Sequence, residues 1–405
     1  MNGAAYVDKD LARNLQEKKL KELIHHCYSN VPYYQKLFKK LSLKPNNLST
    51  IEDLKKLPIL TKEEVKSNHR SFIAKNIPPS QLIPRYTTGT TGSPLKLLST
   101  KREDYLEWLN VVGQFEIAGS NYFQGYVKLS RPNRATKWHH SKEQRILHLN
   151  PLFFDDGALP RYIKAIEKHK YPVVKGYSSF IYALANYCDV HGIGNLSFTS
   201  AIAVGEDLLP HWRRKIEKTF SCKMYNSYGL IERVSSATEC RCHSGMHLNP
   251  LYGVVETIKG SLVATSLNNF AFPLLRYGTN DSADIHTSKC KCCRTSPRLT
   301  SLQGRNIDKL IGIDGKFLNQ SALNLLLFSL HKHLKECQFI QDRHGYLKIL
   351  IVPCNKNAIK PIIKKMREYF EPNFKFEFEI TGSIPRGPGG KFRTIQSAIT
   401  PKYFK

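Results

Sequence analysis

The middle third of the chain alternates short apolar segments with amphipathic segments, and this pattern constrains the fold more than any other feature. Strand-like runs occur at residues 171–174, 201–204 and 223–225, and helical patterns at 180–188 and 212–219 lie between them. Such alternation is typical of a mainly parallel sheet covered by helices. The sequence therefore predicts an α/β fold, in which ligands bind beyond the carboxyl ends of the strands.

The pattern changes towards the C-terminus. Residues 338–352 alternate as a hairpin around 342–345, residues 357–370 form a basic amphipathic helix, and residues 374–380 have the strict period of two of a strand. The sequence predicts two domains: a large N-terminal α/β domain at 1–303 and a small α+β domain at 304–405.

The N-terminal part reads as helical. Residues 8–40 carry leucines at helical spacing, and Pro32 interrupts them. Thr61 precedes two glutamates and predicts a capped helix start. Residues 96–98 predict a strand and residues 104–117 a helix.

A tract of small polar residues lies between the predicted helix start at Thr61 and the predicted strand at 96–98. Residues 87–94 contain five hydroxyl side chains, two glycines and a closing proline. Backbone amides and hydroxyls in such a turn can surround phosphate oxygens, and glycine allows close approach. A Ser/Thr/Gly surface loop is the alternative interpretation of the tract alone.

Later motifs follow in a fixed order. They are Tyr-Gly-Leu-Ile-Glu at 228–232, Arg-Tyr-Gly-Thr-Asn-Asp at 276–281, Gly-Arg-Asn-Ile-Asp at 304–308 and Gly-Gly-Lys-Phe-Arg at 389–393. With the tract, this series resembles the adenylate-forming superfamily of acyl-coenzyme A synthetases and peptide-synthetase adenylation domains. Residues 25–34 and 57–62 resemble the phenylacetate–coenzyme A ligase branch, including its CapK-type relatives of capsular polysaccharide biosynthesis. The resemblance covers essentially the whole chain.

The resemblance implies a role for most polar residues of these motifs. The tract would bind the β- and γ-phosphates of ATP, and Thr88 is also expected to act in catalysis. Glu232 would hold Mg²⁺, and Lys391, on a mobile C-terminal lid, would be the catalytic lysine that approaches the α-phosphate. From composition alone Glu232 and Lys391 are ordinary surface residues. The expected nucleotide-binding residues are Thr87, Thr88, Gly89, Thr90, Thr91, Gly92, Gly205, Glu206, Asn226, Tyr228, Gly229, Asp281 and Arg305.

Within that set, different residues would contact the adenine and the ribose. Tyr228 would offer its ring to adenine, with a core tyrosine as the alternative, and the segment 205–206 would lie along the other face. Asp281 and Arg305 would reach the ribose hydroxyls. Two positions depart from the family pattern. Asn280 replaces a glycine and tolerates left-handed geometry, so the turn is expected to persist. Ile307 replaces the hinge aspartate of the family pattern, and Asp308 could take over the role of that aspartate.

Five of the ten cysteines cluster in two arms, at 240–247 and 290–294. Thiolates and imidazole suit tetrahedral Zn²⁺. By resemblance to the same branch, we assign Cys240, His247, Cys290 and Cys292 to a structural zinc site, with Cys242 and His243 as competing ligands. Unmetallated thiols are the alternative. Cys293 replaces a glycine of the family pattern.

Composition limits the setting. Lysine and arginine number 61 against 33 aspartates and glutamates, giving a net charge of +28 spread along the chain. A solvated surface or an anionic partner, namely coenzyme A, a sugar nucleotide, an acidic glycan or an anionic membrane surface, would explain this excess. No nucleic-acid-binding motif supports nucleic acid as the partner. Neither a signal peptide nor a membrane-spanning run is predicted, so we expect a cytoplasmic protein.

Three functions follow from the resemblance. The first is an ATP-dependent ligase that adenylates a small carboxylic acid and transfers the acyl group to a thiol such as coenzyme A. The second is an amide- or ester-forming ligase that modifies a polysaccharide or nucleotide-sugar precursor. The third is a non-catalytic, zinc-bearing binding protein on a ligase scaffold. The acid, the acceptor and the oligomeric state are not predicted.

Overall fold

The computed structural model describes residues 8–87, 95–129, 138–150, 157–206, 208–303, 310–314, 317–318, 323, 326–327, 330, 333–386 and 392–399. None of the helices in these ranges is long and apolar enough to cross a membrane. The α-helices are α1 (Lys9–Asn30), α2 (Pro32–Lys40), α3 (Lys62–Ser67), α4 (Lys101–Ile117), α5 (Leu159–His169), α6 (Ser178–Val190), α7 (Pro210–Phe220) and α8 (Ile359–Phe370).

Twenty strands accompany these helices in the described residues. They are β1 (Ile83–Tyr86), β2 (Lys96–Ser99), β3 (Tyr126–Leu129), β4 (Trp138–Ser141), β5 (Ile146–Leu149), β6 (Val173–Gly176), β7 (Ser200–Val204), β8 (Lys223–Gly229), β9 (Ser236–Glu239), β10 (Met246–Leu248), β11 (Gly253–Ile258), β12 (Ser261–Ser266), β13 (Tyr277–His286), β14 (Arg298–Gln303), β15 (Leu310–Ile311), β16 (Phe317–Leu318), β17 (Leu334–Arg343), β18 (Tyr346–Pro353), β19 (Lys375–Ile380) and β20 (Ile395–Ser397).

A twelve-stranded sheet dominates the structure, in the order β11-β12-β13-β14-β10-β9-β8-β7-β6-β3-β5-β4. The strands β5, β3, β6, β7 and β8 pair in parallel, which confirms the α/β pattern of the middle third. The other seven pairings are antiparallel. The expectation of a mainly parallel sheet therefore holds only for these five strands. Connections such as those of β8–β9, β9–β10 and β11–β12 are too short for a parallel crossover, so these neighbours are antiparallel.

Helices cover both faces of the parallel strands. On one face α5, α6 and α7 bury Tyr162, Ile181 and Trp212 against alternate strand residues such as Val127 and Val174. The opposite face packs on α4, where Phe115 meets the intervening strand residues Tyr126, Ile146, Val173, Ile202 and Tyr225. Because successive strand residues face opposite sides, these two cores fix which side chains reach each surface.

The N-terminal helices form a second layer. The break at Pro32 is confirmed: α1 ends at Asn30, and Pro32 occupies the first turn of α2, where its missing N–H costs nothing. Thr61 caps α3 by accepting from the Glu64 amide, as predicted. This layer buries its apolar face against β11, β12 and residues 267–277.

A separate four-stranded sheet lies in the C-terminal part, in the order β19-β18-β17-β20. The predicted hairpin is β17–β18, and α8 covers the sheet with Ile362, Met366 and Phe370. This arrangement agrees with the expected α+β class. The domain boundary between residues 303 and 304 stays a prediction, since residues 304–309 lie outside the described residues.

The contact between β3 and β6 allows a test of the sheet geometry. A Cβ at Gly176 would lie 2.1 Å from the Leu129 carbonyl oxygen, so the backbone itself must move. We expect Gly176→Ala to lower the free energy of unfolding by about 3 kcal/mol, as measured by chemical denaturation. Gly194→Ala is the matched control, because open space surrounds that position. Equal stability of the two variants would contradict the register described here.

Candidate active site

A β-hairpin brackets the hydroxyl-rich tract. Strands β1 and β2 pair in antiparallel register up to Tyr86 and Lys96. One further pair closes the hairpin: the Thr87 amide donates to the Leu95 carbonyl at 3.0 Å, and the Thr87 hydroxyl accepts from the Leu95 amide at 2.9 Å. The two ends of the tract are therefore held together. The predicted phosphate-binding residues Thr88, Gly89, Thr90, Thr91 and Gly92 lie outside the described residues.

Two acidic residues of the motifs accept hydrogen bonds from tyrosines. The Tyr228 hydroxyl donates to Asp281 Oδ2 at 2.7 Å, and the Tyr277 hydroxyl donates to Glu232 Oε1 at 3.3 Å. Both carboxylates are buried. Burial, followed by the charge of Asp281, raises the pKa of Tyr228 well above its ordinary value, so Tyr228 stays a neutral donor. The structure thus joins four residues of two motifs in two pairs, which are 53 and 45 positions apart in the chain.

An irregular stretch of β13 aims Asp281 inward. The register against β12 shifts between Gly278 and Ser282, and Asn280 adopts a φ of 63° within it. Asparagine accepts this left-handed geometry more readily than most residues, which agrees with the sequence-based expectation. The Asp281 amide is fixed by the Thr279 hydroxyl at 3.2 Å.

The segment 57–62 supports the start of β13. The Leu60 amide donates to the Arg276 carbonyl at 2.9 Å, and the Gly278 amide donates to the Leu60 carbonyl at 3.0 Å. The buried Arg276 guanidinium is held by both Glu256 oxygens, at 3.1 and 3.2 Å, and also donates to the Leu57 carbonyl. Two motifs that look unrelated in the sequence therefore form one backbone unit.

Asn226 lies beside a second buried ion pair. Its amide donates to Glu239 Oε2 at 2.8 Å, and Arg213 on α7 donates to both Glu239 oxygens, at 3.0 and 2.8 Å. Burial alone would raise the pKa of Glu239, but hydrogen bonds from His243 and Arg213 and the charge of Arg213 lower it. Glu239 is therefore ionised. Its hydrogen bonds with Asn226 and Arg213 tie the end of β9, directly before the first cysteine arm, to β8 and α7.

Glu206, which the sequence assigns to the nucleotide, is engaged by the protein. Its Oε2 accepts from the Ser179 amide at 3.1 Å and its Oε1 accepts from the Phe392 amide at 2.5 Å. Burial raises the pKa of Glu206, and these hydrogen bonds partly offset that rise. Because its carboxylate joins β7, α6 and the C-terminal part, the segment 205–206 retains only its backbone for a nucleotide.

Residues on both sides of Lys391 contact helices that cover the large sheet. Phe392 packs on Trp212 with ring centroids 5.8 Å apart, and the Arg386 guanidinium lies 5.5 Å from the Phe180 ring centroid. Lys391 itself lies outside the described residues, as does Arg305. The flanking contacts bring the chain next to Lys391 to the carboxyl end of β7.

The assigned cysteine and histidine residues come together. Ligand atoms of Cys240, His247, Cys290 and Cys292 all lie within 4.8 Å of one another, and all four residues are buried. The Cys240 and Cys290 sulfurs are 3.7 Å apart, and the Cys292 sulfur lies 3.3 Å from His247 Nε2. A tetrahedral zinc with Zn–S bonds of about 2.3 Å would separate two sulfurs by roughly 3.8 Å, so the donor set and its spacing fit zinc.

Surrounding groups orient these donors. His247 Nδ1 faces the Ser296 carbonyl at 3.2 Å, which leaves Nε2 for a metal. The Arg298 guanidinium donates to the carbonyls of Ser244 and Ser288 and so braces both arms. Gly245 has a φ of 103°, and a Cβ there would lie 2.8 Å from the Leu299 carbonyl oxygen. The arms are thus built around a fixed turn.

The two competing ligands lie outside the four-residue group. His243 Nδ1 lies 3.1 Å from Arg213 and 3.4 Å from Glu239, and Cys242 is outside the four-residue group. Cys293 takes the place of glycine at a φ of 69°.

The thiols of the four-residue group differ in acidity. Burial raises the pKa of Cys290, but hydrogen bonds from Ser244, the Cys292 backbone and His247 lower it to about 5. Burial is the chief cause that raises the pKa of Cys240 to about 12.

Sequence reasoning missed Arg213, Glu239 and Arg276 as site-supporting residues. One signal was available for Glu239, which directly precedes the first cysteine and so lies at a motif boundary. Arg276 opens the motif at 276–281, which was a signal too, whereas no local pattern distinguishes Arg213 from the many exposed cations of this chain. Their roles follow only from the three-dimensional pairing.

The contact between Glu206 and Phe392 yields a test. We expect Glu206→Ala to speed hydrogen exchange at the Phe392 amide by about tenfold or more, because a charged acceptor contributes about 1.5–3 kcal/mol. Glu167→Ala, which removes a carboxylate of α5 that accepts from Asn195 and does not contact residues 392–399, is the control. Hydrogen exchange resolved by peptide at residues 392–399 measures the effect. Unchanged protection of that segment would show that Glu206 does not hold it.

The chain is similar in sequence and in fold to known proteins. Residues 310–398 match the CapK C-terminal domain family. Protein CapK of Staphylococcus aureus is 26% identical over 401 residues, covering 94% of this chain and 88% of that protein. The phenylacetate-coenzyme A ligase of Thermus thermophilus is 23% identical, covering 96% of both chains. The structure of 2-hydroxyisobutyryl-CoA ligase in the postadenylation state, in complex with R3-HIB-AMP, gives a TM-score of 0.79 at 16% identity, covering 98% of this chain and 91% of that one. The chain is therefore a homologue of CapK and of the phenylacetate-coenzyme A ligases, with the fold of the adenylate-forming ligases.

Proposed function

We propose that this chain is an ATP-dependent ligase that joins a carboxylic acid to AMP, releases pyrophosphate and transfers the acyl group to a thiol such as coenzyme A. The observation that carries the proposal is the hydrogen bond between Tyr228 and Asp281, because it unites two nucleotide motifs of the adenylate-forming superfamily. Ligase homologues that align over nearly the whole chain support the same conclusion and speak against a non-catalytic scaffold.

The chain's own residues suit this reaction. Tyr228 presents a neutral ring at the carboxyl end of β8, and its hydroxyl fixes one oxygen of Asp281, which orients that carboxylate for ribose hydroxyls. The Thr87–Leu95 pair holds the two ends of the phosphate-binding tract. Glu232 is a buried oxygen donor of the kind that Mg²⁺ prefers. When bound there, Mg²⁺ would neutralise charge on the phosphates.

The C-terminal lid would supply the cation that acts on the α-phosphate. Lys391 would stabilise negative charge on the α-phosphate as the carboxylate attacks and pyrophosphate leaves. Contacts of Phe392 with Glu206 and Trp212 support this placement of its neighbour. Burial of the site between the two units would also keep water from the adenylate.

A second candidate function differs only in the acceptor. Because residues 310–398 match the CapK C-terminal domain family, the acceptor could instead be an amine or hydroxyl of a polysaccharide or a nucleotide-sugar precursor. The net charge of +28 suits an anionic acceptor of either kind. Transfer assays on the preformed adenylate, with coenzyme A in one arm and amino sugars in the other, distinguish the two functions.

We also propose that Cys240, His247, Cys290 and Cys292 bind a structural Zn²⁺. Four protein donors leave no open position for substrate, so the metal would hold the two arms together and not take part in the reaction. Its position next to Glu239 supports a role in fixing β8 and β9.

ATP–pyrophosphate exchange with a panel of aryl, acyl, amino and uronic acids tests the main proposal. We expect exchange with at least one acid, and a loss of about a hundredfold or more in Lys391→Ala, since such a cation acts chiefly on the transition state. Lys360→Ala, an exposed lysine on α8, is the control. Absence of both exchange and ATP binding would refute the proposal.

Metal analysis tests the zinc site. We expect the purified protein to carry about one zinc per chain, Cys292→Ser to lose it, and the adjacent exposed Cys293→Ser to keep it. The metal-free variant should unfold at a lower temperature, because binding free energy contributes to folding. Equal zinc content in the two variants, measured by plasma mass spectrometry, would exclude Cys292 as a ligand.

A further inference from the structure

One carboxylate joins three separate segments beside the nucleotide motifs. Asp104, in the first turn of α4, accepts at its Oδ1 atom from the Ser99 hydroxyl at 2.9 Å and from Arg233 Nη1 at 2.9 Å. The Arg85 guanidinium pairs with the same oxygen, and Arg85 Nε also donates to the Ser99 hydroxyl at 3.0 Å. We call Asp104, Arg85, Ser99 and Arg233 the Asp104 cluster.

Two members of the cluster lie on the hairpin that brackets the hydroxyl-rich tract. Arg85 is on β1, two residues before Thr87, and Ser99 is on β2, four residues after Leu95. Thr87 and Leu95 form the last pair of the hairpin at the two ends of the tract. Asp104 therefore holds, from α4, both strands of the stem that carries the tract.

The third segment carries the proposed Mg²⁺ ligand. Arg233 directly follows Glu232 in the chain, and its amide donates to the Leu230 carbonyl at 3.0 Å in a tight turn. Arg233 has a φ of 56°, a left-handed geometry that is unfavourable for a residue with a Cβ and persists only where the surroundings enforce it. The ion pair of the Arg233 side chain, which is only 12% exposed, with Asp104 supplies such a constraint. Through the backbone, the same ion pair limits where Glu232 can lie.

The charges of the cluster are balanced by one more carboxylate. Glu107, one turn further along α4, lies 3.7 Å from Arg233 Nε and accepts from the Tyr252 hydroxyl at 2.5 Å. Two guanidinium groups therefore face two carboxylates. Burial alone would raise the pKa of Asp104, but hydrogen bonds from the other members of the cluster lower it, so this carboxylate is ionised at neutral pH. A charge-balanced cluster of this kind suits positioning and not direct contact with a ligand.

The cluster connects the two parts of the site between which the phosphates of ATP would bind. In the proposed function, the tract donates to the β- and γ-phosphates, and Glu232 holds the Mg²⁺ that these phosphates share. Binding of this kind depends on the spacing between the two parts, and an error of about 1 Å can cost about a hundredfold in rate. Asp104 and Arg233 are 129 positions apart in the chain, so only the tertiary contact can set this spacing.

We propose that Asp104 is a positioning residue that sets the spacing between the phosphate-binding tract and Glu232, and so controls the affinity for MgATP. Asp104 acts on the tract through β1 and β2, and on Glu232 through Arg233. This inference rests on the proposed function for the identity of the ligand. Asp104 itself takes no part in bond formation.

Hydrogen exchange in the nucleotide-free protein tests whether Asp104 links the segments. Asp104→Asn keeps the shape of the side chain and removes its charge, which weakens the hydrogen bonds from both arginines. We expect exchange at the Thr87 amide and at the Arg233 amide to speed up together, by about fivefold or more, as measured by mass spectrometry at single-residue resolution. Asp189→Asn, which weakens a surface ion pair with Lys215, is the matched control and should exchange as wild type. Faster exchange at only one of the two amides, or at neither, would overturn the inference.

Calorimetric titration with MgATP tests the effect on the ligand without turnover. We expect Asp104→Asn to raise the Kd for MgATP by about tenfold, and Asp189→Asn to bind as wild type. Arg233→Gly should weaken binding in the same way, because glycine accepts the left-handed φ of the turn but lacks the guanidinium. In ATP–pyrophosphate exchange, KM for MgATP should rise by a similar factor while KM for the acid stays within about twofold, whereas partial misfolding would lower kcat alone. An unchanged Kd in Asp104→Asn would overturn the inference.

A double-mutant cycle tests whether the effect passes through Glu232. Asp104→Asn should weaken MgATP binding clearly less in a Glu232→Gln background than in wild type, because the spacing to Glu232 no longer matters there. Effects that simply multiply would overturn the inference. If no acid supports exchange, the proposed function fails, whereas the titrations still decide whether Asp104 positions the nucleotide. Absence of MgATP binding to wild type would overturn both.

Discussion

Parallel pairing of β3, β6, β7 and β8 is the constraint on which the other features depend. The register of β7 against β8 pairs Ala203 with Asn226 and Val204 with Ser227, so the segment 205–206 and Tyr228 follow at the same end of the two strands. The same ladder, continued through β6 and β3, aligns Lys175 with Lys128. A shift by one residue would turn every side chain to the other face. Met224 packs on the side of α5, α6 and α7 and Tyr225 on the side of α4, so such a shift would exchange these two apolar contacts and move Tyr228 to the other face.

Much of this fold could be predicted from the periodicity of the sequence. The helices around Pro32, the cap at Thr61, the hairpin β17–β18 and the helix α8 all follow from spacing and turn residues, which are local signals. The antiparallel half of the sheet was not predicted, because order among strands depends on contacts between distant segments. Register and strand order are non-local quantities that a period of two does not encode.

The candidate site shows the same division between local and non-local information. Motif order identified Tyr228, Glu232, Asp281 and the cysteine arms, and the structure brings the partners of each pair together. The role of Glu206 could not be foreseen, because its partners, Ser179 and Phe392, lie 27 and 186 residues away. A motif identifies the position of a side chain in the chain, whereas its hydrogen-bond partners decide which atoms remain for a ligand.

Electrostatics explains how the acidic side chains near the nucleotide motifs are arranged. Adenylation brings two anions together, so the protein must supply positive charge where they meet and must keep its own carboxylates occupied. Tyrosines occupy Asp281 and Glu232, Arg213 neutralises Glu239, and backbone amides hold Glu206. Each of these four carboxylates near the nucleotide motifs is therefore engaged by a hydrogen-bond donor. A carboxylate that accepts a hydrogen bond repels an incoming anion less than a free one does, which suits a site that must bind two anionic reactants. The net charge of +28 acts in the same direction over the whole chain.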